Sequence, residues 1–322
     1  MNNDIEFPSQ EPMLGEAPVF RAVLRAAAIT AVTDATTLIQ GESGTGKELL
    51  ARAIHAWSRR SGAPFVTINC AALPENLAES ELFGHRRGAF TGASSDQRGR
   101  IQAAHGGTLF LDEVGELSLG IQAKLLRFLE DGEIQPVGQP RSERIDVRVV
   151  AATNRDLFSE VQAGRFRDDL FYRLNVVPLH LPPLRERGDD LTLLLQRLTA
   201  RLARAHGLEA PRYSANTVDI LRRYPWPGNV RELRNVCERL VILFPGRTIE
   251  PGNLPAEIRH SQPAALAGDF VLPASGVHLD HLERDLIRQA LQRTGGNQSR
   301  AARLLGLTRG TLIYRMKKYA IE

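Results

Sequence analysis

Long apolar runs are missing from this chain, and cysteine is scarce. No stretch approaches the roughly 18 uncharged apolar residues of a membrane span, and Met1–Pro12 has none of the features of a secretory signal. Membrane insertion and export are therefore not expected, and a soluble, cytoplasmic protein is. The only two cysteines, Cys70 and Cys237, lie too far apart for a disulfide framework or a zinc site, so both should pack as small apolar residues in a reducing compartment. Charge of one sign is not dominant either. A net charge of +4 is mild, and whether it serves nucleic acid depends on where it sits. What is present is a hydrophobic share of 43%, enough for a real core, on 322 residues. At roughly 100–200 residues per domain, that length suggests two or three domains.

The stretch around which the chain is organised is Gly41-Glu42-Ser43-Gly44-Thr45-Gly46-Lys47. It follows a β-rich run, Thr36–Ile39, and opens a helical pattern, Glu48–Ile54, so it has the strand-loop-helix setting of a phosphate-binding loop. Its glycines let successive N–H groups face phosphate oxygens, the helix adds the positive end of its dipole, and Lys47 supplies a mobile cation. A plain glycine turn needs neither the lysine nor this spacing. Glu48 stands where a Ser or Thr hydroxyl usually ligates Mg²⁺.

Helical spacing predicts a helix over Pro18–Thr30, a strand at Phe65–Asn69 and an acidic helix near Ala78–Phe83. The glycine-rich stretch Gly84–Ser94 has no amphipathic period and predicts a mobile loop. A buried strand, Thr108–Leu111, then ends in Asp112-Glu113. In an open parallel sheet, ligands sit beyond the carboxyl ends of the strands, so this pair should face the phosphate loop. Asp112 would hold Mg²⁺, directly or through water, and Glu113 would polarise an attacking water. Ser118–Asp131 reads as a helix and Asp146–Ala152 as a strand that delivers Asn154 toward the same site. Arginines interleave with apolar residues over Phe166–Leu174. After a strand ending at Pro182–Arg187, helical patterns cover Asp189–Ala205, Ser214–Tyr224 and Val230–Leu243.

Residues 1–181 thus read as an α/β nucleotide-binding core, 182–254 as an all-helical lid, and 255–277, rich in Pro, Ala, Gly and Ser, as a linker. Residues 278–322 are helical again: Leu279–Gln292, Gln298–Leu305 and Thr308–Tyr319, with a glycine turn at Gly306. That pattern fits an all-α helix-turn-helix domain with a basic recognition helix. Leu312 and Met316 should pack inward. Arg309, Thr311, Tyr314 and Arg315 should reach base edges, Arg300, Lys317 and Lys318 should meet phosphates of double-stranded DNA, and Thr308 is expected among the DNA-binding residues. A charged helical hairpin used for dimerisation is the alternative for Leu279–Gln292.

Read together, Gly41–Glu48, Gly88-Ala89-Phe90-Thr91-Gly92-Ala93, Gly107–Glu113 and Trp226–Leu233 closely resemble the AAA+ ATPases that activate sigma-54 RNA polymerase, the bacterial enhancer-binding proteins. The likeness runs from about Leu14 to the end, whose last helices are similar to a Fis-type DNA-binding domain. The Gly88–Ala93 hexapeptide is far more specific than the phosphate loop. The resemblance implies ATP and Mg²⁺ as cofactors and makes Glu48 a family feature. It implies Asn154 at the sensor I position, Arg231 as sensor II, and Asn69 as a switch partner of Glu113. It also implies that Arg167 and Arg173 reach into a neighbouring subunit's site in a homo-oligomeric ring, typically a hexamer, with a dimer as a resting form. Phe90 and Thr91 would grip sigma-54 of the RNA polymerase holoenzyme. Arg86 stands where the family usually has an acid, which removes the acid that a loop-locking salt bridge would use.

Members without a receiver or ligand-binding domain, such as the phage-shock activators, are typically restrained by a separate inhibitory protein, and that type is the expectation here. The rival reading is a DNA-remodelling AAA+ ATPase of another class, a replication initiator or branch-migration motor, which would not need the hexapeptide. A non-catalytic repressor would not need the acidic pair, Arg167 or Arg173.

Overall fold

The computed structural model describes residues 13–90, 93–259, 279–319 and 321. In chain order, α1 (Pro18–Ala31), β1 (Thr37–Gln40), α2 (Lys47–Ala56), β2 (Phe65–Asn69), α3 (Glu75–Phe83), α4 (Arg100–Ala103) and β3 (Thr108–Asp112) lead to α5 (Leu119–Asp131). A short hairpin of β4 (Glu133–Ile134) and β5 (Glu143–Arg144) precedes β6 (Arg148–Thr153), α6 (Leu157–Gln162), α7 (Asp168–Leu174) and β7 (Val177–His180). The parallel sheet has the order β2-β3-β6-β1-β7.

Side chains alternate across a strand, and both faces of this sheet are covered. Leu38, Leu109, Leu111, Val149 and Ala151 pack with residues of α3, α5 and α7 on one face. Ile39, Phe110, Val150 and Ala152 pack with α1 and α2 on the other. This explains why the strands read as near-continuous apolar runs. The buried Arg148 crosses to the end of α1, where its guanidinium donates to Ala31 O (2.8 Å) and Thr30 O (3.0 Å). A cation at a helix carboxyl end satisfies carbonyls left without intrahelical partners.

The lid begins with the turn Leu184–Glu186 and continues through α8 (Asp190–His206), β8 (Arg212–Tyr213), α9 (Ala215–Arg223), α10 (Asn229–Leu243), β9 (Thr248–Ile249) and α11 (Ala256–Arg259). β8 and β9 form a two-residue parallel ladder beside the helices. Leucines of α8 and α10 meet around Trp226, which is buried and donates its indole N–H to Leu221 O at 2.9 Å. Ile258 of α11 belongs to this core, so helical structure extends past Pro255, where a linker was expected. The rest of the expected linker, 260–277, lies outside the described residues.

A second unit stands by itself: α12 (Leu279–Arg293), α13 (Gln298–Leu304) and α14 (Arg309–Lys318). Ile287, Ala290, Leu291, Ala301, Ala302, Leu312 and Met316 form its core.

Candidate functional site

The loop between β1 and α2 is bent by left-handed residues at Gly44 (φ 78°) and Gly46 (φ 104°). A side chain at Gly44 would also place its Cβ 2.3 Å from Gly228 O, so glycine is required there twice over. Lys47, nearly buried, donates its ammonium to Gly41 O (2.9 Å) and Glu42 O (3.3 Å) and lies 3.5 Å from Glu113 Oε1. Facing it, Asp112 ends β3, and Glu113 follows in left-handed backbone (φ 52°), an uncommon conformation for a non-glycine residue that re-aims the carboxylate. Glu113 Oε2 accepts the Asn154 N–H at 3.0 Å. Burial, then the adjacent Glu113 charge, holds the Asp112 carboxyl above the usual range, partly offset by Lys47. Asn69 does not pair with Glu113 here: its Oδ1 accepts Ala71 N at 3.0 Å and caps the turn after β2. Glu48 pairs with Arg52 (2.7 Å) along the exposed side of α2.

Lys47, Glu48, Asp112, Glu113 and Arg231 line a cleft of about 850 Å³ whose apolar walls include Met13, Leu14, Phe20, Leu194, Leu198 and Val230, whereas Asn69 and Asn154 are not among its lining residues. Arg231 Nη1 donates to Ser43 Oγ at 2.8 Å, and Val230 N and Arg231 N donate to Gly44 O. The lid thus completes the cleft.

Glu42, expected to touch nucleotide, turns instead to the lid. Its carboxylate takes two bonds from Arg185 (2.6 and 2.9 Å) and one from Asn229 Nδ2 (3.0 Å), and these donors push its pKa down to about 2. Asn229 is fully buried at φ 50° and accepts Leu184 N through Oδ1 (2.8 Å). A second link was invisible in the sequence. Buried Asp190 accepts Glu16 N (2.6 Å), Ala17 N (3.0 Å) and Arg187 Nε (3.0 Å), while Arg187 donates to Leu14 O (2.7 Å) and lies 3.8 Å over the Phe20 ring. Only the Arg-Gly-Asp-Asp run after Pro183-Leu184 hinted at it.

Arg167 and Arg173 are not among the residues that line the cleft. Arg167 pairs with Asp169 (2.6 Å), and Arg173 donates to Leu129 O (2.6 and 3.0 Å). In the hexapeptide, Gly88, Ala89, Phe90 and Ala93 are described, whereas Thr91 and Gly92 lie outside the described residues. Phe90 is 38% exposed, its ring edge-on to His85 at 4.9 Å. Arg86 does find an acid: Asp96, beyond the hexapeptide, accepts its guanidinium (2.7 Å) and Arg87 N (2.8 Å).

Residues 13–180 match the family described as the Sigma-54 interaction domain. The chain belongs to the sigma-54-dependent activators, which are AAA+ ATPases. Residues 185–268 match the AAA+ ATPase lid domain and 279–319 the Fis family of bacterial regulatory proteins. The activator is 48% identical to the transcriptional regulatory protein ZraR of Klebsiella oxytoca, over 96% of this chain and 69% of ZraR. It is 48% identical to the Nif-specific regulatory protein of Klebsiella pneumoniae, over 95% of this chain and 58% of that one. The crystal structure of NtrX from Brucella abortus in complex with ATP superposes with a TM-score of 0.72 at 33% identity, covering 96% of this chain and 69% of NtrX.

In the activator's Fis-type unit, α14 opens at Thr308, whose Oγ1 accepts Thr311 N (3.2 Å). Thr308 therefore has a capping role of its own. Arg300, Arg309, Tyr314 and Lys317 are exposed. Arg315 pairs with Glu283 and Lys318 with Asp280 (3.0 Å), so these two expected DNA ligands already have partners on α12.

Proposed function

We propose that the cleft binds and hydrolyses ATP within a homo-oligomeric ring, typically a hexamer, and that hydrolysis moves the Gly88–Ala93 loop against sigma-54 at a promoter. The substrate phosphates would lie along the N–H groups of Ser43–Lys47 at the amino end of α2, with Lys47 and Arg231 supplying cations. Glu113, oriented by Asn154 N–H and Lys47, polarises the attacking water. The Asp112 carboxylate, raised by burial and a neighbouring charge, fits a bound cation. Among the described residues no cluster of His, Cys, Asp or Glu could hold a metal alone, so the donor set suits an ion shared with phosphates. Mg²⁺, held by Asp112, would draw charge from those phosphates. That NtrX was solved with ATP and with ADP supports the choice of nucleotide.

What supports the ring is the family likeness, together with the engagement of Arg167 by Asp169 and of Arg173 by Leu129 O, away from the cleft that holds Lys47, Asp112, Glu113 and Arg231. A trans arginine contributes about 10³–10⁵ in rate. The test mixes two inactive variants, Glu113→Gln and Arg173→Ala. Mixed interfaces then pair an intact glutamate with an intact arginine, so phosphate release should recover in the mixture. Mixtures as inactive as their components would reject arginine supply in trans. DNA bound by the last three helices would tether the ring upstream of cytoplasmic promoters, and control by a separate inhibitory protein belongs to the same proposal.

A further inference from the structure

The recognition helix α14 is not free to spend all its charge on DNA. Tyr319, just past its end, donates its hydroxyl to Glu283 Oε2 (2.5 Å), with Asp280 Oδ1 at 2.7 Å. Lys318 Nζ donates to the same Asp280 oxygen (3.0 Å) and to the Tyr319 hydroxyl oxygen (3.1 Å), and Arg315 pairs with Glu283. Asp280 and Glu283 are three residues apart on α12 and so share one face. Glu283 is the less exposed of the two acids, at 21% against 69% of the side chain. The phenol thus holds one oxygen of the carboxylate, and the Arg315 guanidinium lies in an ion pair with the other.

A free arginine loses much rotamer freedom when it docks on a base edge, and a fixed planar fork loses less. A buttressed arginine is therefore suited to reading sequence, whereas a lysine neutralised by an exposed aspartate is a weaker phosphate ligand than Lys317, which has no ion pair among the described residues. We propose that Glu283 is a positioning residue for sequence recognition: held by Tyr319, it fixes Arg315 for a base edge, while Asp280 withdraws Lys318 from the phosphate contacts. This rests on the Fis-type DNA-binding reading of the unit.

The test uses the full chain and a duplex that the chain itself selects from a random-sequence pool, compared with a shuffled duplex of equal length and composition. Glu283→Gln should narrow the affinity ratio between the two duplexes about tenfold, the scale of one good base contact, with affinity for the shuffled duplex equal or higher. Arg315→Ala should narrow it in the wild-type background and change little further in Glu283→Gln. Asp280→Asn should strengthen binding to both duplexes equally and steepen the salt dependence as Lys318 joins the phosphate contacts. An unchanged ratio in Glu283→Gln, with both affinities raised alike, would reduce Glu283 to a repulsive charge and overturn the proposal. Equal loss on both duplexes with a lowered Tm would make it a fold residue and overturn it too. Failure of the wild-type chain to enrich any sequence would instead reject the DNA reading itself.

Discussion

The phosphate loop and the hexapeptide loop are both short and glycine-rich, yet the fold treats them in opposite ways. Around the first, Lys47 is tied to Gly41 and Glu42 carbonyls, Gly44 O accepts two N–H groups of α10, and Glu42 is held by Arg185 and Asn229. Around the second, the base is anchored by Arg86 N to Val137 O (2.9 Å), Arg86 Nε to Gln139 Oε1 (2.6 Å) and the solvent-facing Arg86–Asp96 pair. The described residues of the hexapeptide itself have local bonds, Gly88 N to Ala93 O (2.9 Å), Ala93 N to Phe90 O (3.0 Å) and Ala89 N to Arg86 O (3.1 Å), and one ring edge on His85. Lys47 and Asn229 are buried, so their contacts are costly to break, whereas the Arg185–Glu42 and Arg86–Asp96 pairs are both exposed and weak. The first loop is the more firmly fixed of the two, and under the proposed function hydrolysis moves the second.

The largest expected effect separates the two loops by function. Glu113→Gln should cut phosphate release about 10²–10⁴-fold while nucleotide still binds. Phe90→Ala should keep hydrolysis and DNA binding and abolish promoter opening, scored by open-complex formation. Opening by Phe90→Ala would erase the distinction. Next comes a matched pair. Alanine at either Gly44 or Gly88 incurs the left-handed backbone cost of about 1–2 kcal/mol, since φ is 78° and 80°. Only Gly44 adds overpacking, about 1–3 kcal/mol, because its Cβ meets Gly228 O while nothing lies within 4 Å at Gly88. Thermal unfolding should therefore rank Gly44→Ala well below Gly88→Ala, and equal losses would contradict the contrast.

Smaller still, Asp96→Asn should leave thermal unfolding almost unchanged, since the pair is exposed, yet speed proteolysis within the hexapeptide. Unchanged cleavage would mean that Arg86–Asp96 does not restrain the loop. The least effect concerns Glu42. Its lowered pKa means that its contribution is full above the ordinary value of 4.5 and is lost as pH falls toward about 2. The wild-type advantage over Glu42→Gln, under about 1 kcal/mol for so exposed a pair, should stay flat from pH 7 to 5 and close below that. A gap that closes near neutrality would remove Glu42 from the clasp.

Much of this was legible. Continuous apolar runs marked the central strands, because helices cover both faces of the sheet, and a 3.6 period marked the long helices, because each buries one face. Lys47, Asp112 and Glu113 were readable as one site because a parallel sheet brings strand ends together, while Arg231, on lid helix α10, was placed there only by the family resemblance. Glu42 was misjudged because its partners, Arg185 and Asn229, are remote in sequence, and spacing carries no signal for such a bond. Asn69 and Glu113 were expected as a pair, but a side chain at a strand end can cap its own turn instead. The β4–β5 and β8–β9 ladders were too short to leave a period. The α12 acids paired with Arg315 and Lys318 drew no reading of their own, because such pairs lie more than thirty positions apart and leave no spacing signal.

The bond from Asn229 to Glu42 spans 187 positions. The strand that carries the loop, β1, gains its neighbours β6 and β7 only once His180 is made, and at about 5–20 residues per second Asn229 follows about 2–10 s later. For that interval a nascent chain holds the core without its latch, and nucleotide bound then would act as a folding aid rather than as fuel.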